Sequence, residues 1–197
     1  DDEACCEASK NEIVRRYYAA TNKLALGACN EEEIAKIQML FNQAKISTDY
    51  RKVTVAAKNH KKETGHTSSA IELEDGTIIC GHSSELLGCS AALLLNVMKH
   101  LAGIDHNLKL IPQSMIEPIQ HTKISYLGGR NPRLHTYEVL VALSVLSEND
   151  ENCRKALDQL PKLRGCQAHC TVMLSDVDQR IFKKLGVGLT CEPVMKK

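Results

Sequence analysis

The first quarter of the chain places apolar side chains at helical spacing. Ser9 opens a pattern typical of a capping box, and Gly27 is a suitable stop for the helix that follows. A second apolar stripe of the same period begins after Asn30. The pattern predicts a helical hairpin over residues 9–44, and we treat residues 1–46 as a helical subdomain.

From about residue 47 the period changes and the segments become shorter. The string "RKVTVAA" is β-branched and predicts a strand, and "KNHKKETG" predicts an exposed helix that ends at Gly65. Two β-rich runs around an Asp-Gly turn in "SSAIELEDGTIICGH" predict a hairpin. The helix predicted in "ELLGCSAALLLNVMKHLAG" is apolar nearly all round, which indicates burial on both sides.

The C-terminal part predicts more helices and a strand–helix–strand unit. "PQSMIEPIQHTKI" is helical with a break at Pro118, and two helices follow at about 136–147 and 150–160. "CQAHCTVMLS" and "VGLTC" read as strands around a helix capped by Ser175, on which Val177, Ile181 and Leu185 are expected to face inward. Residues 47–197 are therefore predicted to form an α/β domain with a mixed sheet between helical layers.

Charge and composition exclude some classes of function. Lys and Arg number 25 against 24 Asp and Glu, Trp is absent, and aromatic residues make up 4%. Nucleic-acid or anionic-membrane surfaces need a basic excess, so we expect neither partner. No apolar run reaches the roughly 18 residues that span a membrane, and no signal peptide is visible. We expect a cytoplasmic protein, and because the chain begins at Asp1 rather than Met, part of a longer one.

Nine cysteines raise the question of disulfides or metal. Without an export signal, reduced thiols are expected. No C-x-x-C or H-E-x-x-H pattern occurs, so we predict no metal site. Cys166 and Cys170 share the apolar face of their strand, which is typical of buried structural thiols. Cys89 opens the buried helix, but no base is identifiable beside it.

The first candidate site lies at the start of that buried helix, in "GHSSELLGCS". Ser83, Ser84 and Ser90 could offer hydroxyl and backbone N–H groups to an anion at the helix N-terminus. The alternative is that Ser83 or Ser84 simply caps the helix. Neither phosphate-loop nor dinucleotide-loop glycine patterns are present, so no cofactor can be named.

The second candidate lies in "NPRLHTYE". Helix capping alone explains two of these residues, Thr136 as the N-cap and Glu138 in the first turn. Capping does not account for Asn131, Arg133 or His135. Arg133 could bind an anionic group, and His135 is placed to act as a general acid or base. The alternative is a structural Arg–carboxylate clamp beside a satisfied histidine.

Two further residues lie at the C-terminal strands. His169 lies on the polar face of its predicted strand. We therefore expect either an edge strand or a strand whose polar face borders a cleft. Glu192 ends the last strand, where ligands of parallel sheets gather. If the chain is an enzyme, we expect these two residues to share one cleft with the earlier candidates, with His135 or His169 as the catalytic group. Those candidates are Ser83, Ser84, Asn131, Arg133 and His135.

Four strings also carry a family resemblance. In chain order they are "LLGCSAALLLNVMKHLAGI", "IEPIQ", "NPRLHTYEVLVALS" and "ALDQLPKLRGCQAHCTVMLSDVDQRIFKKLGVGLTCEP". They resemble the C-terminal part of domain-of-unknown-function family 1846, also called uncharacterised protein family 0371. The resemblance runs from about Ser9 to Pro193. It implies a longer protein with a large N-terminal region, and an α/β/α arrangement similar to the cytidine deaminases.

The resemblance does not carry deaminase activity to this chain. Such enzymes need H-x-E or C-x-E at one helix start and P-C-x-x-C at the next. Gly88-Cys89-Ser90 stands at the first, and no Cys pair stands at the second. Two functions stay open: a small anionic, phosphate-bearing or nucleotide-like ligand site, or a non-catalytic structural or oligomerisation module. In the second case Tyr17 and Phe41 would lie on a surface that contacts the N-terminal region or another copy of the chain.

Overall fold

The computed structural model describes residues 2–28 and 31–194, and within them the chain forms eight α-helices and four strands. Short 3₁₀ turns lie at Thr48–Tyr50 and Leu160–Leu163, and a π turn at Thr122–Tyr126. No helix in these two ranges is long and apolar enough to cross a membrane. The elements are, in order, α1 (Asp2–Ala25), α2 (Glu31–Ala44), α3 (Lys52–Thr64), β1 (Ser68–Glu72), β2 (Ile78–His82), α4 (Cys89–Leu101), α5 (Gln113–His121), α6 (Thr136–Leu146), α7 (Glu151–Leu157), β3 (Gln167–Cys170), α8 (Asp176–Lys184) and β4 (Gly188–Cys191).

The four strands form one mixed sheet in the order β2-β1-β3-β4. β1 is antiparallel to both of its neighbours, whereas β3 and β4 are parallel and are joined through α8. Ala70 pairs with His169, and His169 with Thr190, so these three side chains share one face of the sheet. The hairpin and the parallel unit predicted from the sequence are both confirmed.

Helices cover both faces of the sheet. On the first, which we call the α4 face, Ile71 and Ala168 join Leu94, Leu143 and Phe182 in the main hydrophobic core. These residues bring α4, α6 and α8 against the strands. On the second, which we call the α3 face, α3 and α1 pack against the strands. The result is a mixed α/β structure in three layers.

The strand predicted in "RKVTVAA" is wrong, because this segment is the first half of α3. Val53 and Ala57, four residues apart, are both fully buried, and Ala70 of β1 completes their cluster. Burial at helical spacing against the sheet outweighs the strand preference of β-branched residues, which is a weak local effect. Gly65, at φ +72°, ends the helix as predicted, and its N–H donates to the Lys61 carbonyl.

Three finer expectations also need correction. Ser9 lies inside α1, where its hydroxyl donates to the Cys5 carbonyl, so it caps nothing. Pro118 does not break α5, which continues through it to His121; Pro118 and Ser114, whose carbonyl loses its donor, are both exposed residues. Val177 is 49% exposed, and the buried positions of α8 are Asp178 and Phe182. Asn30, the predicted start of α2, lies outside the described residues.

Candidate functional site

The beginnings of α6 and α8 meet at a buried carboxylate. The Asp178 side chain is 0% exposed, and it accepts hydrogen bonds from Thr136 N at 3.0 Å and from His135 Nδ1 at 3.1 Å. Burial alone would raise the pKa of Asp178, but the hydrogen bonds from His135 and Thr136 outweigh it and lower the pKa. Asp178 is therefore ionised at neutral pH and fixes the ring of His135.

His135 is the N-cap of α6 and has a second polar contact on its other ring nitrogen. Asn131 Nδ2 lies 3.3 Å from His135 Nε2, and Asn131 Oδ1 accepts from Arg133 N at 3.1 Å. With Nδ1–H donating to Asp178, Nε2 is the acceptor of the Asn131 amide. The imidazole is 27% exposed, so a basic nitrogen lies near solvent on a ring held from behind by a carboxylate.

Arg133 joins this segment to the loop before α4. Its Nε donates to the Ser84 carbonyl at 2.5 Å. Leu134 N donates to the Leu86 carbonyl at 2.8 Å, and Gly88 N donates to the Leu134 carbonyl at 3.0 Å, so the two loops pair like short parallel strands. Within the two described ranges, neither Nη atom of Arg133 has a hydrogen-bond or ion-pair partner. The guanidinium is therefore anchored by one edge only.

Glu138 and Thr136 have purely structural contacts. Glu138 Oε2 accepts from His135 N at 2.7 Å and from Lys123 Nζ at 2.9 Å. Thr136, predicted as the N-cap, is instead the first residue of the helix, since His135 occupies the cap. The Thr136 hydroxyl donates to Ser90 Oγ at 3.2 Å in the buried interior. These contacts satisfy Glu138 within the fold.

The structure brings together four of the predicted residues, Ser84, Asn131, Arg133 and His135, which we call the loop site. Ser83 is buried and accepts from the Thr67 hydroxyl at 2.8 Å. Ser90 lies beneath the site against Thr136. Neither Ser83 nor Ser84 caps α4, because the cap is Gly88, and Ser84 Oγ instead accepts from Leu86 N and Leu87 N within its own loop.

His169 and Glu192 lie elsewhere, on the α3 face of the sheet. His169 is 0% exposed, with Nδ1 2.9 Å from Thr190 Oγ1 and Nε2 3.4 Å from Glu192 Oε1. The Tyr18 hydroxyl donates to the same Glu192 oxygen at 3.1 Å. The sequence predicted an edge strand or a cleft at His169. The strand is instead internal, and α1 covers its polar face, which a strand pattern alone does not reveal.

Arg51 completes this buried polar network. Its guanidinium donates to Thr190 Oγ1, and to Gln167 Oε1 and the Gly188 carbonyl at 2.9 Å each. Burial lowers the pKa of Arg51 to about 10. Burial also lowers the pKa of His169, against the opposing effect of Glu192, so His169 is neutral at pH 7. The network joins α1 and the start of α3 to β3 and β4.

Glu192 is expected to make the stability of the protein depend on acid pH. Burial would raise its pKa, but His169, Lys58 and Tyr18 lower it from its usual 4.5 to about 2. This stabilisation is present above pH 4.5 and is lost as pH falls toward 2, and it amounts to about 3 kcal/mol. Urea denaturation between pH 6 and pH 2.5 should show a steeper loss of unfolding free energy for the native chain than for Glu192→Gln.

Asp49→Asn serves as the matched control for this pH dependence. Asp49 also lies near Lys58, at 3.6 Å, but its side chain is 65% exposed, so its ion pair contributes little. If Asp49→Asn flattens the pH profile as much as Glu192→Gln, the buried network is not the source of the effect.

Six of the cysteines in the described ranges are buried or half-buried, whereas Cys5 and Cys6 are exposed. The eight cysteines of those ranges form no disulfide with one another, and Cys29 lies outside them. Cys89, Cys170 and Cys191 share a buried cluster, in which hydrogen bonds between the Cys170 thiol and Cys191 and Cys89, together with burial, raise the pKa of Cys170. No group of three or more His, Cys, Asp or Glu in residues 2–28 and 31–194 could hold a metal ion.

Asp178 is the site residue that sequence reasoning missed. It stands three residues after Ser175, whose hydroxyl accepts from Asp178 N at 3.2 Å, so it was expected only to help cap α8. Its partner His135 lies 43 residues away, and no local spacing connects them. An acidic residue at a buried position of an otherwise apolar helix face was the signal available.

Comparison with known proteins agrees with the family resemblance. The model of "Domain of unknown function DUF1846, C-terminal" matches residues 49–197, and that of the DUF1846 N-terminal domain matches residues 1–45. The chain belongs to the DUF1846 family. The division of the chain into a helical subdomain at 1–46 and an α/β domain at 47–197 stays a prediction.

Curated relatives of the DUF1846 chain carry the name UPF0371 protein. One from Corynebacterium urealyticum is 49% identical over 193 residues, which is 98% of this chain and 39% of the relative. One from Corynebacterium aurimucosum is 47% identical over 197 residues, 100% of this chain and 40% of the relative. One from Streptococcus thermophilus is 43% identical over 193 residues. The chain thus spans about two fifths of the length of the relatives it matches.

Proposed function

We propose that this chain binds a small anionic ligand, phosphate-bearing or nucleotide-like, at the loop site. The observation that carries the proposal is the guanidinium of Arg133, which is anchored through Nε to the Ser84 carbonyl and keeps both Nη atoms without a protein partner in the described ranges. A planar pair of donors held in this way suits two oxygens of a phosphate or carboxylate.

The surrounding charges favour an anion at this position. Glu138 is paired with Lys123, and Asp178 is buried behind His135. Arg133 therefore has no carboxylate partner among the described residues, and Arg130 adds a second positive charge on the neighbouring exposed segment.

His135 gives the loop site the means to move a proton. Asp178 holds the Nδ1–H tautomer, so that Nε2 can accept a proton from a ligand that displaces the Asn131 amide. His169 is enclosed beneath α1, and we assign it no part in this step. The loop site therefore combines an anion-binding guanidinium with His135 as the candidate acid–base group.

We also propose that the fold is related to the cytidine deaminases in arrangement only. A hairpin, a buried helix and a strand–helix–strand unit follow one another within a three-layer structure, which supports the resemblance. The starts of α4 and α8 carry Gly88-Cys89-Ser90 and Ser175-Asp176 in place of the zinc-binding motifs. Fold likeness alone does not assign an activity, and the residues do not fit zinc-dependent deamination.

Replacing Arg133 with methionine tests the ligand proposal. Titration calorimetry with inorganic phosphate and with a nucleoside monophosphate should show binding to the native chain. We expect Arg133→Met to weaken the affinity about tenfold, since a charge-assisted hydrogen bond contributes about 1.5–3 kcal/mol. Arg16→Met removes the same charge from an exposed position of α1 and should leave the affinity unchanged. Equal losses in both variants would show a general charge effect and no site.

A second candidate function is a structural contact module, and the helical hairpin favours it. The rings of Tyr17 and Phe41 contact each other with centroids 5.2 Å apart, and both residues are half-buried between α1 and α2. On the outer side of α2, Met39 is 62% exposed and Leu40 is 39% exposed. Because the relatives are much longer, this apolar side could contact their remaining region.

The two candidates differ in what a longer relative adds. Thermal unfolding of this chain and of a full-length UPF0371 protein should be compared with and without nucleoside monophosphate. Protection of both supports the loop site as a site of its own. Protection of the longer protein alone supports the contact module, whose ligand site then needs the additional region.

A further inference from the structure

A cavity of about 280 Å³ lies between α4, the segment after α4, α5 and the loop before α4. Its size is just below the range of about 300–1,000 Å³ that takes drug-sized molecules, so it suits a smaller ligand. Its walls are mostly aliphatic and are supplied by leucine and isoleucine side chains from all four segments, namely Leu86, Leu87, Leu95, Leu108, Leu110 and Ile116.

A buried ammonium lies in this apolar wall. Lys99 is 9% exposed, and its Nζ donates to the His106 carbonyl at 2.5 Å and to the Leu108 carbonyl at 3.3 Å. An ammonium has three donors, so these two carbonyls leave one. Within the described ranges Lys99 forms no ion pair with a carboxylate. A cation so placed lacks the counter-charge that buried charges ordinarily have.

The other charged residue that lines the cavity has the same sign. It is Lys109, and no Asp or Glu is among the lining residues. Asp105 is close enough to act on Lys99 and opposes the lowering of its pKa by burial, but its Oδ1 accepts from Asn107 N at 2.7 Å and it does not line the cavity. The cavity thus combines an apolar body with a positive end.

We propose that this cavity binds a small carboxylic acid with an aliphatic body, whose carboxylate pairs with the Lys99 ammonium while its chain lies among the leucines. Burial of the aliphatic chain among these side chains supplies the affinity. The ion pair selects the acid over neutral or cationic molecules of the same shape. This cavity is separate from the anion site proposed at Arg133, so the inference goes beyond the proposed function. Ser84 lies at the border of the two sites.

Three probes of the same length separate the contributions. Hexanoate, 1-hexanol and hexylammonium share an aliphatic chain and differ in the charge of the end group. Titration calorimetry on the native chain should give hexanoate the lowest Kd, at least tenfold below that of 1-hexanol, and hexylammonium the highest. If hexanoate binds no more tightly than 1-hexanol, or if none of the three binds, the proposal is overturned.

Two variants and a control assign the preference to Lys99 and to the cavity. Lys99→Met should abolish the preference for hexanoate and leave 1-hexanol within about twofold of its native Kd. Lys109→Met removes an exposed charge at the rim and should keep most of the preference. Ala92→Phe fills the cavity and should weaken both hexanoate and 1-hexanol. If Lys99→Met does not fold, the probe comparison and Ala92→Phe still decide, and unchanged hexanoate binding in Ala92→Phe would place the acid elsewhere.

Discussion

Replacing Asp178 with alanine is expected to destabilise the protein by about 3 kcal/mol, because the change leaves buried donors without an acceptor. The Asp178 carboxylate is 0% exposed and accepts from both His135 Nδ1 and Thr136 N. Its removal unpairs a backbone N–H at the start of α6 and the ring that caps it. Urea denaturation at pH 7 measures the loss.

Two further variants separate this buried role from ordinary helix capping. Asp178→Asn keeps an oxygen for Thr136 N and should lose about half as much stability. Asp176→Ala removes an exposed carboxylate from the first turn of α8, where its favourable interaction with the helix dipole is worth about 0.3–1 kcal/mol. If Asp176→Ala costs as much as Asp178→Ala, the bridge between α6 and α8 does not hold the loop site together.

Gly81→Ala is expected to destabilise the protein by a similar amount, about 3 kcal/mol, through overpacking. A Cβ at Gly81 would lie 2.4 Å from Leu93 N, 2.6 Å from Leu93 Cα and 2.9 Å from Ala92 C. All three are backbone atoms of α4, so no side chain can rotate away and the helix must move off the sheet. Urea denaturation should show the loss, and near-ultraviolet circular dichroism should show altered core packing.

Gly76→Ala provides the comparison for Gly81. Gly76 lies in the hairpin turn at φ +82° with open space around it, so alanine there incurs only backbone strain of about 1–2 kcal/mol. Packing against α4 predicts a clearly larger loss at Gly81. The reverse order would mean that α4 sits less closely on β2 than the structure describes.

Much of the fold could be predicted from periodicity, and the failures have a common cause. The hairpin of β1 and β2, the buried α4 and the β3–α8–β4 unit each carry a pattern that only one element fits. The segment that forms α3 carries two competing patterns. Val53 and Val55 favour a strand, whereas Val53 and Ala57 lie on one face of a helix. Packing against β1 decides between them, and that contact is not visible in the local sequence.

The loop site was found in part because capping could not explain its residues. Helix capping does not account for the side chains of Asn131, Arg133 and His135. The structure places these three residues together with Ser84. The prediction that His169 borders a cleft or an edge was wrong. The alternation of polar and apolar residues separates the two faces of a strand but does not show what covers each face. Asp178 could not be paired with His135, because the pair depends on two helix starts meeting across the α4 face.

The position of bound phosphate relative to the histidine rings tests the central claim most directly. Imidazole ¹H–¹⁵N spectra of the native chain should first show His135 in the Nδ1–H form. On addition of inorganic phosphate we expect the His135 ring signals to shift in a saturable way, with His169 unchanged beneath α1. Saturable phosphate binding that shifts other histidines and leaves His135 in place would contradict an anion site beside Arg133.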